Sequence, residues 1–282
     1  MNNLIDKYIF LHELTNGEFG KIYKARHKIS NADVVFKIEN KSEVSLLLYE
    51  AKLYNELKKF SYISHLRNFT STADSYIMII DYNGPTLLQI KTVLYTYPIN
   101  ERINFINKLI YNIISAYEEL HSYDYLYRDT KPHNFCYKNN NLKIIDLGFC
   151  KKYKINNVHI ENKKIMKIVG TPNYVSLNVV NLDTPSRRDD LESLIYLYLF
   201  LLISEELWNS YSNISLIDKK DESIIKKILD FIQKNEKNEK NEKNEKNEKN
   251  LNNIIIYFQY IRSLSFIEQP DYNKIKLLIK SI

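Results

Sequence analysis

Residues 127–134 read Tyr-Arg-Asp-Thr-Lys-Pro-His-Asn, so one short loop presents a carboxylate at Asp129, an ammonium at Lys131 and an amide at Asn134. A carboxylate so placed can accept a hydrogen bond from a hydroxyl, an ammonium can neutralise charge on a phosphoryl group, and an amide oxygen can hold Mg2+. Twelve residues after Asn134, Asp146-Leu147-Gly148 follows the strand-like stretch 142–145 and supplies a second carboxylate where a hard cation needs one. Singly these residues are ordinary loop residues. Together, at this spacing, they point to phosphoryl transfer onto a hydroxyl, with Asp129 and Lys131 as catalytic groups and Asn134 and Asp146 as metal ligands.

Two further features bear on the phosphate donor. Lys37 ends a β-type run and Glu50 lies thirteen residues later on an expected helix, so the pair could aim an ammonium at the α- and β-phosphates of ATP. A surface lysine is the plainer alternative. Gly17 and Gly20 lie between two expected strands in Leu14-Thr15-Asn16-Gly17-Glu18-Phe19-Gly20-Lys21-Ile22, as a hairpin covering ATP phosphates requires, although ordinary hairpins also use glycine.

The elements that must position these groups follow from periodicity. Residues 8–11, 22–23 and 34–36 are short β-type runs separated by Asn/Gly and Ser/Asn turn signals, which suggests an antiparallel meander. Over residues 43–60 the apolar spacing becomes helical; residues 76–81 form another strand, broken by Asn83-Gly84-Pro85. Beyond it the chain is mainly helical, with Ile103, Ile106, Leu109, Ile110, Ile113, Tyr117 and Leu120 on one stripe of a helix over 100–122. Helices are also expected over 254–267 and 272–282. The fold class is therefore α+β, with a small β-rich lobe over 1–82 and a larger α-helical lobe over 83–282. An Asn-Glu-Lys repeat at 234–250 carries no apolar residue and is expected as a solvated insert, disordered rather than helical.

Composition narrows the class. Of 282 residues 44% are hydrophobic and 26% charged, which suits a folded domain with a real core. The net charge of +6 permits acidic partners but no aromatic platform accompanies the lysine runs, so nucleic acid is not an expected partner. Cys136 and Cys150 form no CxxC pair and read as packing residues, in a reducing compartment. The start of the sequence does not read as a secretory signal, and the most apolar run, residues 194–203, is half the roughly 20 residues of a membrane span. A cytoplasmic monomer, or one in the host cytoplasm for a viral protein, is the expectation.

At the loop and metal motifs the chain resembles the eukaryotic protein kinases: residues 129–134 match the HRD catalytic loop and 146–148 match DFG. Tyr127 replaces the usual histidine, and Thr15 the first loop glycine. The resemblance is closest to the casein kinase 1 group, through Lys131-Pro132-His133-Asn134-Phe135, Gly170-Thr171-Pro172-Asn173-Tyr174 and Ser186-Arg187-Arg188-Asp189-Asp190-Leu191-Glu192-Ser193-Leu194, with Arg262-Ser263-Leu264 and Pro270-Asp271-Tyr272 further on. Ile195 stands where that group carries glycine. In outline the chain is also similar to the vaccinia-related kinases, and its AT-rich compositional bias suits a large DNA virus or a protozoan. The resemblance implies a bilobal protein kinase fold, ATP and Mg2+ as cofactors, and ATP contacts at Leu14, Gly17, Gly20, Ile22, Lys37, Glu50, Asp81 and Tyr82.

Between Asp146 and Gly170 there is no serine or threonine, so a kinase active without phosphorylation of that segment is expected. Arg187 and Arg188 precede an apolar helix, at the end of the macrodipole that disfavours cations. The resemblance implies that they grip a substrate anion, with Lys163, Lys164 and Lys167 nearby, and so select Ser/Thr in acidic or phosphorylated protein substrates. The rival readings are a pseudokinase scaffold and a small-molecule phosphotransferase.

Overall fold

The computed structural model describes residues 2–17, 20–42, 45–237 and 244–282. They form two compact units, Met1–Pro85 with Phe135–Gly148, and Thr86–Asn134 with Phe149–Ile282.

The first unit begins with a short helix α1 (Asn2–Ile5) and a meander of β1 (Tyr8–Gly17), β2 (Gly20–His27) and β3 (Asp33–Asn40), as the short β-type runs between turn signals predict. Helix α2 (Leu46–Glu56) follows, then β4 (Leu66–Ser71) and β5 (Ser75–Asp81). The five strands make one antiparallel sheet in the order β1-β2-β3-β5-β4. Its apolar face buries Ala25, Val34, Phe36, Ile77 and Ile79 against Leu4, Ile5 and Tyr8; the strand residues Val34, Phe36, Ile77 and Ile79 are β-branched or aromatic, as suits a pleated surface. Helix α2 is shorter than its apolar pattern because Ser45 caps it, its side chain accepting the Leu48 N–H at 3.0 Å. Residues 43 and 44, the start of the expected helix, lie outside the described residues.

The second unit opens with α3 (Leu87–Leu94) and α4 (Ile99–Ser122), then β6 (Tyr125–Leu126) and a 3-10 turn (Pro132–Asn134). The chain next returns to the first unit as the hairpin β7 (Phe135–Lys138) and β8 (Asn141–Ile144), docked there by Tyr137 N–H on the Pro85 carbonyl at 3.1 Å and Ile144 N–H on the Tyr62 carbonyl at 2.7 Å. Back in the second unit, β9 (Lys151–Lys152) pairs with β6, and β10 (Lys154–Ile155) with β11 (Val158–His159). Helices α5 (Leu177–Val180), α6 (Arg187–Leu202), α7 (Glu205–Ser212), α8 (Glu222–Lys237), α9 (Asn244–Ser263) and α10 (Tyr272–Lys280) complete it. Helix α6 is buried on every side from Leu191 to Leu202, as an all-round apolar helix must be, with α4 and α9 packed on it. Ile195 is accommodated there without exposure.

The repeat expected as a disordered insert at 234–250 is entered by α8 and α9 from both sides, up to Lys237 and from Asn244; residues 238–243 lie outside the described residues. Glu and Lys are good helix formers, so helical ends in such a repeat accord with propensity. Among the described residues no helix is long and apolar enough to cross a membrane.

Candidate active site

In the first unit, β3 carries Lys37 and α2 carries Glu50, and the ammonium donates to both carboxylate oxygens at 2.8 and 3.0 Å. Lys37 donates also to the Ile145 carbonyl at 2.7 Å, and Glu50 Oε1 accepts the Leu147 N–H at 3.1 Å. One buried ion pair thus ties strand, helix and the segment after β8 together. Burial pushes Glu50 up to about 7, against the pull of Lys37 and with the push of the Asp146 charge. Burial works to lower Lys37, but the charges of Glu50 and Asp146 outweigh it and leave it raised.

Gly20 has φ +105, and a Cβ there would meet the Ile38 carbonyl oxygen at 2.1 Å, so this corner of the β1–β2 hairpin admits only glycine. Gly17 pairs with it in register, and Ile22 pairs with Thr15 on one side and Lys37 on the other; residues 18 and 19 at the tip lie outside the described residues. Leu14 is exposed on β1. Asp81, at the end of β5, pairs with Arg67, and the Lys24 ammonium lies 4.1 Å from the Tyr82 ring centre.

In the second unit, Asp129 Oδ1 accepts the Thr171 hydroxyl at 2.8 Å, while Oδ2 accepts from Asn134 Nδ2 at 2.9 Å and lies 2.8 Å from the Lys131 ammonium. Asn134 Nδ2 donates also to the Asp129 carbonyl at 2.9 Å. The loop is fixed from behind by Asp190, which accepts the Tyr127 and Arg128 N–H groups at 2.7 Å each. Arg128 sits at φ +68, a conformation that a non-glycine residue keeps only where its surroundings impose it. Gly170, at φ +102, lets the chain pass so close that a Cβ would meet the Arg128 carbonyl oxygen at 2.4 Å. Tyr127 is buried against Tyr117, ring centres 5.6 Å apart, which makes the residue in the histidine position a packing element.

Arg187 and Arg188 stand elsewhere than on a free surface. Arg187 is buried and donates to the Ile267 carbonyl at 2.6 Å; Arg188 donates to the Leu264 carbonyl at 2.6 Å. Carbonyl acceptors from the segment after α9 are what favour two cations at this helix N-terminus. Asp189 and Asp190 are buried beside them, Asp189 accepting from Ser176, Asn178 and the Ser186 N–H. A cavity of about 360 Å³ has Arg128, Lys151, Lys152 and Lys163 in its lining beside Glu161 and mainly apolar side chains; Lys151, Lys152 and Lys163 belong to the lysine runs of the sequence.

Thr171 and Asp190 were legible only as parts of longer motifs, since their partners lie 42 and 62 or more residues away. The donor sets of Asn134 and Asp146 suit Mg2+. The Asn134 NH2 is committed to Asp129, so its amide oxygen is the atom that could meet a cation, and Asp146 Oδ1 accepts the Gly148 N–H at 2.8 Å, which fixes the carboxylate. Among the described residues no group of three or more His, Cys, Asp or Glu could hold a metal ion.

Residues 8–266 match the family described as Protein kinase domain, a span that takes in the five-stranded sheet, the Asp129 loop and α6. Domains of this family transfer phosphate from ATP, with Mg2+, to proteins. With an antiparallel β-sheet N-lobe and a helical C-lobe inside that match, the chain belongs to the protein kinase domain family.

Proposed function

We propose that the chain is a serine/threonine kinase of the casein kinase 1 group that phosphorylates proteins in acidic or already phosphorylated contexts and needs no phosphate on its own activation segment. The observation that carries this reading is the threefold anchoring of Asp129 by Thr171, Asn134 and Lys131. A carboxylate so oriented is suited to accept a hydroxyl proton. In the reaction the seryl or threonyl oxygen bonds to the γ-phosphorus, the bond from that phosphorus to the bridging oxygen breaks, ADP leaves, and Asp129 takes the proton. Lys131 offsets the charge that develops on the transferred group. Lys37, fixed by Glu50, is assigned to the α- and β-phosphates, with Leu14, Gly17, Gly20, Ile22, Asp81 and Tyr82 as nucleotide contacts. Asn134 and Asp146 are assigned to Mg2+, which when bound neutralises phosphate charge.

Activity without segment phosphorylation is supported by how the segment is held. Ile165 N–H donates to the Leu182 carbonyl at 2.7 Å, Thr184 N–H to the Lys163 carbonyl at 3.0 Å, and Lys164 pairs with Asp183 at 2.7 Å. Its tyrosine, Tyr153, is buried and donates to the His121 carbonyl at 2.8 Å. The acidic preference is supported by four cations, Arg128, Lys151, Lys152 and Lys163, at the edge of a mainly apolar cavity that also carries Glu161. Arg187 and Arg188, the first candidates for an anion, are engaged by carbonyls.

Bacterially expressed, phosphatase-treated protein is expected to label casein on serine and threonine from labelled ATP and Mg2+. Labelling confined to tyrosine, or activity that appears only after an upstream kinase has acted, refutes the proposal; no transfer at all favours a scaffold.

The Glu50 environment adds a pH signature. Protonation removes the counter-charge of Lys37, so turnover is expected to fall as pH drops through about 7, and Glu50→Gln to flatten that limb of the profile. Stability runs the other way. A carboxyl whose folded pKa exceeds its ordinary 4.5 favours the folded state fully below 4.5 and loses that contribution as pH rises through about 7. Denaturation midpoints of wild type and Glu50→Gln across this window check the sign.

A further inference from the structure

Tyr272 opens α10, beyond residue 266 where the family match ends, yet its hydroxyl lies 2.6 Å from His121 Nδ1. His121 Nε2 lies 2.9 Å from Asp190 Oδ2, and Asp190 holds the Tyr127 and Arg128 N–H groups. Tyr272, His121 and Asp190 are all buried. An ionised carboxylate only accepts, so the Nε2 that faces Asp190 must carry a hydrogen. A hydroxyl donating to Nδ1 selects that tautomer, because the outer partner of an imidazole decides which nitrogen is protonated. Burial raises the Tyr272 phenol far above its ordinary value, so it keeps the proton it donates. The turn that delivers Tyr272 is itself fixed, by Arg188 on the Leu264 carbonyl and Arg187 on the Ile267 carbonyl.

We propose that Tyr272 is a positioning residue for the loop that carries Asp129, acting through His121 and Asp190 on the backbone of Tyr127 and Arg128. Its catalytic consequence rests on the reading of Asp129 as the base. The inference makes the segment after the matched domain part of the working kinase, because the left-handed backbone at Arg128 is imposed by a carboxylate whose own orientation depends on α10.

The test compares Tyr272→Phe, which keeps the buried ring and loses the bond to His121 on α4, with Ser281→Ala, which removes a bond between α9 and the cap of α10, Asn253 to Ser281 Oγ at 2.9 Å. Hydrogen exchange of the peptide containing Tyr127 and Arg128, measured on the full chain, is expected to quicken by about 3- to 30-fold in Tyr272→Phe and to stay unchanged in Ser281→Ala. kcat on casein is expected to fall by a similar factor with KM for ATP unchanged. Adding His121→Gln, whose amide donates whatever its other neighbour, should restore slow exchange. Should Tyr272→Phe prove too unstable to purify, the imidazole 15N shifts of His121 in the wild-type chain carry the test, an Nε2–H tautomer supporting the relay and an Nδ1–H tautomer overturning it. Unchanged exchange in folded Tyr272→Phe, equal quickening in Ser281→Ala, or failure of His121→Gln to rescue overturns the relay. A wild-type chain that transfers nothing to casein would sink the kinase reading instead, while the exchange rates would still decide the relay.

Discussion

Asp129→Asn is expected to lower kcat on casein by about 10²–10⁴-fold, the range that a positioned general base contributes. The substitution keeps size and shape, so the Thr171 hydroxyl at 2.8 Å still finds an oxygen acceptor at the Oδ1 position. On the other side the new amide would turn N–H groups toward Asn134 Nδ2 and the Lys131 ammonium, at positions where both now donate to Oδ2 at 2.9 and 2.8 Å. The variant therefore loses the proton acceptor and the charge that holds Lys131, while the Lys37–Glu50 pair of the N-lobe keeps its own bonds. KM for ATP is accordingly expected to stay within about threefold, since the lost interaction belongs to the transition state rather than to nucleotide binding. Steady-state kinetics with labelled ATP decide it. A variant retaining a tenth or more of wild-type kcat would remove Asp129 from the role of base.

The loop that carries Asp129 was legible in the sequence because it is local. Asp129, Lys131 and Asn134 lie within six residues, and the loop geometry follows from that closeness. The N-lobe strands were legible for a similar reason, since residues 8–11, 34–36 and 76–81 carry β-branched or aromatic runs bounded by turn residues. Strand β4 was not, because Leu-Arg-Asn-Phe-Thr-Ser has no apolar alternation and takes its conformation from pairing with β5. Helix α3 was missed although a signal existed: Thr86 and Gln89 form a capping box, the Thr-x-x-Gln pattern that starts a helix.

What the sequence withheld was the support behind the loop. Asp190 reads as an acidic residue suited to a helix N-terminus, and nothing local shows that its carboxylate holds the Tyr127 and Arg128 amides. The arginines beside it show the converse. Their placement against the macrodipole was a legible anomaly, but the carbonyls that resolve it lie 76 and 80 residues away. Unfavourable local placement thus marked a tertiary contact without naming the partner.

Arg262→Ala is expected to cost about 3–5 kcal/mol, the penalty for removing one partner of a buried ion pair and leaving the other charged. Arg262 donates to Glu192 Oε1 at 2.9 Å and to the Lys220 carbonyl at 2.7 Å, and Glu192 is only 2% exposed. The remaining donors to Glu192, Leu177 N–H at 2.9 Å and Tyr196 OH at 2.6 Å, are neutral and cannot balance its charge. Lys220 cannot move in to replace the guanidinium without abandoning the Asn173 carbonyl at 2.9 Å and the face of Tyr196 at 3.4 Å. At about 2–4 °C per kcal/mol for a chain of this size, the melting midpoint should fall by roughly 10 °C. Arg262→Lys is expected to recover only part of the loss, because an ammonium cannot reproduce the fork that reaches carboxylate and carbonyl together. The effect should also reach the turn at Asn173, two residues from Thr171, since Lys219 and Lys220 both donate to Asn173 and the Lys220 carbonyl is one of Arg262's acceptors. Activity per folded molecule is therefore expected to fall in Arg262→Ala as well. A midpoint within about 2 °C of wild type would show that Glu192 finds another cation, and would assign the pair no structural weight.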